Sequence, residues 1–275
     1  MEIIHRVDFE LKDHAEDELD ILEVKYERLP FAGRVIIRVE LPESSPRWPE
    51  FQALFQTKGK KDWAFETYFT TEEILSAEWL RLLNNSLEIG YPQPEKEWLK
   101  NRPNYDEWCK QCGAFHQASS FFVKTEPKIR KYDFANLNWT SAIFAVPKVF
   151  AVLKANNITG YECWPVFIHK NKEPSLIISQ LYIDAATGPT VIEAEDLEPF
   201  ICDTCGALKY KRFHKHGIMY MRRETIPTGV DIFETYEWFG GGLQPRREVI
   251  VSNRVAQLAY AENWKGINFK VVKAI

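Results

Sequence analysis

The chain has 275 residues and a formal net charge of −4, so it lacks the strongly basic balance of a mainly electrostatic nucleic-acid binder. Hydrophobic residues make up 45% of it and aromatics 14%, which excludes a disordered chain and supplies one large core or two modest ones. No run approaches the roughly 20 apolar residues that span a bilayer, and the charges of Glu2, Arg6 and Asp8 fall where a signal peptide needs an apolar stretch; the expectation is a cytoplasmic protein with no membrane segment.

In chain order, residues 10–27 hold eight acidic side chains and two lysines, with Leu11, Ala15, Leu19 and Leu22 at helical spacing. That pattern reads as a solvated helix with a thin buried stripe. Arg34–Leu41 is β-branched and bounded by Gly33 and Pro42, which predicts a strand. Three prolines and two serines over 42–49 predict a loop. The aromatic stretches Phe51–Phe55 and Trp63–Phe69 read as extended. Thr70 and Glu73 have capping-box spacing before Ile74, Leu75, Ala77, Leu80 and Leu83, which predicts a helix over 71–84. Proline and charge crowd residues 90–105, the best linker candidate, and place a domain boundary near 104.

Beyond it, Pro147 begins a predicted helix carrying Val149, Phe150, Val152 and Leu153, since the first helical turn has no N–H partner to lose; Asn156–Gly160 ends it. Tyr161–Ile168 and Leu176–Ile183 read as strands joined by a charged loop. Val249–Val251 is a short strand, Ser252 caps a helix carrying Val255, Ala256, Leu258 and Ala259, and Ile267–Val272 is a last strand. Strands and helices that do not alternate strictly predict an α+β fold, with mixed sheets and flanking helices. The expected organisation is an N-terminal α+β region over 1–104 and a second α+β domain over 105–275.

Five cysteines in a long chain argue against a disulfide scaffold. Four of them lie in two matching hexamers, Cys109-Lys110-Gln111-Cys112-Gly113-Ala114 and Cys202-Asp203-Thr204-Cys205-Gly206-Ala207. Two residues between cysteines let a tight turn aim both sulfurs at one point, and the following glycine admits a positive φ. Two such knuckles supply the four tetrahedral ligands of a structural Zn²⁺, leaving no open position for a catalytic water. Eighty-nine residues lie between Cys112 and Cys202, so the metal would clip together distant segments and hold the C-terminal half. The competing reading is a pair of redox-active dithiols, which wants each CxxC at the start of a helix; neither hexamer precedes an amphipathic one. Cys163, in an apolar strand, reads as a buried small residue. His116, His214 and His216 lie near the knuckles but are not needed as ligands.

Residues 209–223 carry Lys209, Lys211, Arg212, Lys215, Arg222 and Arg223, interleaved with Tyr210, Phe213 and Tyr220 and free of acids. They form either a partner-binding or nucleic-acid surface or a solvated β-hairpin whose charge offsets a zinc–thiolate centre. Gly240-Gly241-Gly242 reads as a flexible turn. No HExxH, GxSxG, GxGxxG or Walker motif is present, and nothing positively supports an enzyme.

From about residue 105 to the end, the chain resembles the double-CXXCG proteins, first noticed as a paralogous set in myxobacteria. The resemblance is carried by the two knuckles with Trp108, by Trp139–Val166, Leu176–Tyr182 and Asp231-Ile232-Phe233, and by the tail, Val249–Val255 and Trp264–Phe269. The tail pattern is shared more widely, by related families of bacterial immunity proteins. The resemblance implies that Cys109, Cys112, Cys202 and Cys205 are the family's cysteines, and that the protein binds and neutralises a cognate bacterial toxin. It carries over no toxin-contact residue. Two features depart from the family: about a hundred residues precede the first knuckle, and the basic stretch after the second is long. The alternative is a nucleic-acid-binding zinc protein using 209–223.

Overall fold

The computed structural model describes residues 1–60, 64–192, 197–211 and 217–275. The protein is α+β, and the chain forms two compact units. The first runs to Glu73 and takes in Gly217; the second holds the rest from Ile74 onward. The division therefore falls well before residue 104.

The first unit contains β1 (Glu2–Glu10), α1 (Glu16–Ile21), β2 (Glu27–Phe31), β3 (Arg34–Pro42), α2 (Trp48–Thr57) and β4 (Ala64–Tyr68). Its strands make one antiparallel sheet in the order β2-β3-β1-β4. Ala32 and Gly33 join β2 to β3 with φ of 47° and 76°, a two-residue turn whose twist matches paired strands. Alternation sets Val7 and Phe9 opposite Val39 and Ile37, and all four are buried with Leu19, Phe51 and Phe55.

Two expectations fail here for definable reasons. The acidic segment is not one helix: β1 pairs as far as Glu10, and Glu23 at φ 55° closes α1, leaving Leu19 buried and Leu11 about half exposed. Phe51–Phe55 is helical rather than extended. The two rings are one helical turn apart, pack 5.5 Å from each other, and both face the core.

The predicted helix over 71–84 is two elements. The capping box forms, with Thr70 N–H donating to Glu73 Oε2 at 2.8 Å and Glu73 N–H to Thr70 Oγ1 at 3.2 Å, and it opens α3 (Thr71–Ser76). The chain then extends into β5 (Trp79–Asn84), because strands on both sides capture it.

In chain order the second unit continues with β6 (Leu87–Glu88), α4 (Glu95–Asn101), β7 (Phe122–Val123), β8 (Phe134–Asn136), β9 (Ile143–Ala145), α5 (Pro147–Ala155), β10 (Glu162–Ile168) and β11 (Pro174–Tyr182). After these come β12 (Pro199–Ile201), β13 (Leu208–Tyr210), β14 (Met219–Met221), β15 (Ile232–Glu234), β16 (Trp238–Phe239), β17 (Val249–Ser252), α6 (Asn253–Ala261) and β18 (Ile267–Ala274). Three sheets result: a six-stranded β6-β8-β9-β11-β10-β7, a five-stranded β14-β18-β5-β17-β15 and a three-stranded β12-β13-β16. Parallel and antiparallel pairings mix within each. At the centre of the five-stranded sheet the buried Arg81 faces the buried Glu248 at 3.5 Å.

The proline-rich segment 90–105 is not a linker. Its helix α4 buries Trp98 completely in a core with Tyr105, Phe121, Phe144 and Val166. The helix from Pro147, the strands over 161–183 and the closing strand–helix–strand occur as expected. Ser252 occupies the N-cap of α6, but its hydroxyl donates to Asp231 Oδ1 at 2.6 Å instead of to the helix. Among the described residues no helix is long and apolar enough to cross a membrane.

Candidate metal centre

The two CxxCG hexamers fold alike. Cys109 N–H donates to Ala114 O at 2.8 Å and Gly113 N–H to Cys109 O at 2.8 Å. In the second copy Cys202 N–H donates to Ala207 O at 3.0 Å and Gly206 N–H to Cys202 O at 2.8 Å. Both glycines have positive φ, 82° and 73°, so each turn needs a residue that adopts this conformation without strain. Gly113 has a second constraint: a Cβ there would lie 2.6 Å from the Leu243 backbone, whereas Gly206 faces open space. Antiparallel pairing flanks each turn, through Tyr105–Gln117 around the first and β12–β13 around the second.

These turns bring all four sulfurs within 4.8 Å of one another. Cys109 Sγ lies 3.8 Å from Cys202 Sγ, and Cys112 Sγ lies 3.5 Å from Cys205 Sγ, each pair separated by 93 residues in sequence. A disulfide would bring sulfurs to about 2.05 Å. Four sulfurs at about 2.3 Å from a central tetrahedral ion stand about 3.8 Å apart. The spacing is that of a four-thiolate metal site, and the donor set fits a metal ion of thiophilic character. Three of the cysteines are buried and Cys205 is exposed. Thr204 Oγ1 donates to Gln111 Oε1 between the two turns.

The thiols alternate in acidity. Burial opposes ionisation of Cys109, but the backbone N–H groups of Cys112 and Gln111 outweigh it and bring the thiol down to about 7. Cys202 is lowered by the N–H groups of Cys205 and Thr204. At the second position of each knuckle burial wins, pushing Cys112 up to about 12 and raising Cys205. A bound cation needs all four as thiolates, so uptake of metal releases protons.

The surroundings are largely apolar, with the Lys209 ammonium beside the first knuckle and the Arg247 guanidinium 4.5 Å from the Trp238 ring centre. Cys109, Cys112, Cys202 and Ala114 pack with Trp238, Phe115 and Phe200, and Phe115 and Trp238 meet edge to face at 4.9 Å. Lys209 is 2% exposed; its ammonium donates to Cys112 O at 2.6 Å and Gly242 O at 2.7 Å. Burial lowers its pKa while the nearby cysteines raise it. The glycine turn at 240–242 thus supplies a carbonyl that holds this lysine.

Among the described residues, the other basic positions do not form one free surface. β13 and β14 do not pair with each other; β13 joins β12 and β16, and β14 joins β18. Lys209 is interior, Lys211 pairs with Glu198 at 2.8 Å, Arg222 donates to Val191 O at 2.7 Å, and Arg223 makes a two-pronged pair with Glu78 at 2.9 Å. Arg212, Lys215, His214 and His216 lie outside the described residues. His116 pairs with Asp106 at 2.9 Å instead of joining the cysteines, and Cys163 is exposed, not buried: it lies on a face of β10 that stays largely open.

Sequence reasoning missed two groups of residues. No local pattern marks Lys209 as interior, because its partners are carbonyls far along the chain. Asp231 is a hub: it accepts from Thr159 N–H at 3.1 Å, Ser252 Oγ at 2.6 Å and Arg254 Nη1 at 3.0 Å. Asp231 and the Ser252-Asn253-Arg254 segment form one tie between residues 21 and 23 positions apart, which no local pattern marks. No protein-family model matches the chain, and no curated protein matches it.

Proposed function

We propose that the four cysteines hold one structural zinc ion and that the protein is a non-catalytic, cytoplasmic binding protein, an immunity protein that neutralises a cognate toxin by occluding it. The observation that carries the metal half is the complete donor set: four sulfurs converge on one point, so a tetrahedral ion there has no position left for water or substrate. Zinc is the ion proposed because a closed set of four cysteines is the donor set of structural zinc sites; iron shares the preference for four thiolates, and metal analysis separates the two. The immunity role is supported by the resemblance to the double-CXXCG proteins. The residues that carry it, Asp231, Ser252 and Arg254 among them, bind one another, which leaves partner recognition to surfaces that differ between members.

The nucleic-acid alternative has less support, because Lys209, Lys211 and Arg223 are already engaged. The deciding experiment co-expresses this protein with the products of the genes beside its own. Rescue of growth from a toxic neighbour, with co-purification of the two chains and one zinc per chain, supports the reading. A set of toxic neighbours none of which is bound or neutralised overturns the immunity role, and purified protein without stoichiometric metal overturns the zinc.

A further inference from the structure

We propose that a cleft beside the first knuckle binds a small oxyanion, a carboxylate or phosphate carried on a metabolite-sized molecule, with Arg102 as the principal contact. The cleft measures about 260 Å³, and its walls include Arg102, Trp108, Asn136, Asn138, Trp139 and Arg246, with the exposed carboxylate of Glu88 also in the lining. That is slightly below the range of pockets for drug-sized ligands, roughly 300–1,000 Å³, and suits a hydroxy acid, an amino acid or a sugar phosphate.

Three observations converge. The first is an incompletely matched cation. Arg102 is 6% exposed, and its guanidinium carbon sits 4.3 Å from the Trp98 ring centre and 5.5 Å from that of Trp108. Nη1 donates to Trp139 O at 3.1 Å, while Nε is buried without a hydrogen-bond partner. Burial works against the charge, with Tyr105 the neighbour that offsets it. No ion pair joins Arg102 to a carboxylate among the described residues. A buried guanidinium is costly without a counter-charge, and its planar fork matches carboxylate and phosphate oxygens.

The second is backbone strain. Arg102 and Trp139 have φ of 50° and 63°, a region that bulky non-glycine residues seldom adopt. The two strained residues are joined by the Nη1 hydrogen bond, and both line the cleft. Arg102 takes this conformation as the left-handed residue that ends α4, and the hydrogen bond to Trp139 holds its guanidinium at the cleft wall.

The third is unspent hydrogen-bonding capacity. The side-chain amide oxygens of Asn136 and Asn138 are buried without partners, and an amide can present either end to a ligand. Trp139 is 51% exposed and lies edge to face with Tyr91 at 5.6 Å, a flat rim for the body of the ligand.

The test uses the full metal-loaded chain, labelled at tryptophan indoles for NMR. It is titrated separately with inorganic phosphate, ribose 5-phosphate, glycolate and glycine, which distinguishes phosphate from carboxylate. Saturable shifts of the Trp108 and Trp139 indole signals with at least one probe, weakened roughly tenfold or more in Arg102→Gln, support the proposal. Asn138→Leu, which removes an unpartnered amide oxygen, is expected to weaken binding severalfold without lowering the melting temperature, and it reads the site should Arg102→Gln fail to fold. Absence of saturable shifts at millimolar concentrations of every probe, or shifts unchanged in both variants, overturns it.

Discussion

In the proposed zinc site, replacing Cys202 by serine removes one of four metal bonds and weakens the clasp that closes a long loop. With the metal in place, the chain between Cys112 and Cys202 is closed, 89 residues long. Fastening a loop of that length restricts the unfolded chain by about 5 kcal/mol in the loop-entropy description of a cross-link. Structural zinc binding as a whole contributes on the order of 10 kcal/mol. A domain's net stability is about 5–15 kcal/mol, so the substitution removes a large part of it. For a unit of this size each kcal/mol corresponds to about 2–4 °C, and the melting transition of the second unit should fall by roughly 10–20 °C. The first unit has its own buried core around Phe9, Phe51 and Val39 and should keep its exchange protection in β1 and β3. Calorimetry with amide hydrogen exchange, on wild type with and without chelator and on Cys202→Ser, separates the two units. If the wild type carries stoichiometric metal and the variant melts within about 2 °C of it, the idea that the metal fastens the second unit fails.

Further outcomes are expected. Gly206→Ala should cost about 1–2 kcal/mol through its left-handed backbone, and Gly113→Ala clearly more, because its Cβ also meets the Leu243 backbone at 2.6 Å; equal losses in melting temperature would contradict this. Lys209→Met should speed loss of metal to a competing chelator, since the ammonium beside the thiolates is removed; unchanged release kinetics would show that its charge is irrelevant to the ion. Burial pushes Glu234 up to about 7 from an ordinary 4.5, with Arg247 opposing the rise. The folded protein therefore holds a proton there that the unfolded chain has lost, so this contribution is present in full below the unfolded value and is lost as pH rises through about 7. At about 1.4 kcal/mol per unit, the swing is on the order of 3 kcal/mol; urea midpoints of Glu234→Gln between about pH 5 and pH 8 should be flatter than those of wild type, and parallel slopes would refute the assignment.

How much of this was legible in the sequence follows from how local each cause is. The cysteine cluster was legible because CxxCG encodes its own turn, and two copies need only meet. The strand and helix of Val249–Ala261, and the helix opened by Pro147, were legible from end signals and periodicity together. Leu80–Leu83 was misread because its apolar pattern fits a helix as well as a strand. Two partner strands far along the chain decide between them, and no window around β5 contains them. Trp98 was overlooked for a related reason: proline and charge surround it, but the core that buries it comes from later residues such as Phe121 and Val166. Phe51 and Phe55 had helical spacing all along, and aromatic content overrode it. Arg102 could not have been singled out, because its burial depends on Trp108 and Trp139 arriving beside it.

The distance between the two knuckles also sets an order of events during synthesis. The second thiol of each cross-knuckle pair is made 93 residues after the first, which at about 5–20 residues per second is roughly 5–20 s on the ribosome. For that interval Cys109 and Cys112 are an open dithiol on a nascent chain, able to pick up an oxidant or a loosely held ion. The hairpin of β10 and β11 leaves the ribosome before Cys202 does, so its pairing can precede the clasp. If the proposed metal is the clasp, a cell short of it would release chains whose intervening strands had formed but whose ends had never been locked, the population on which quality-control proteases act.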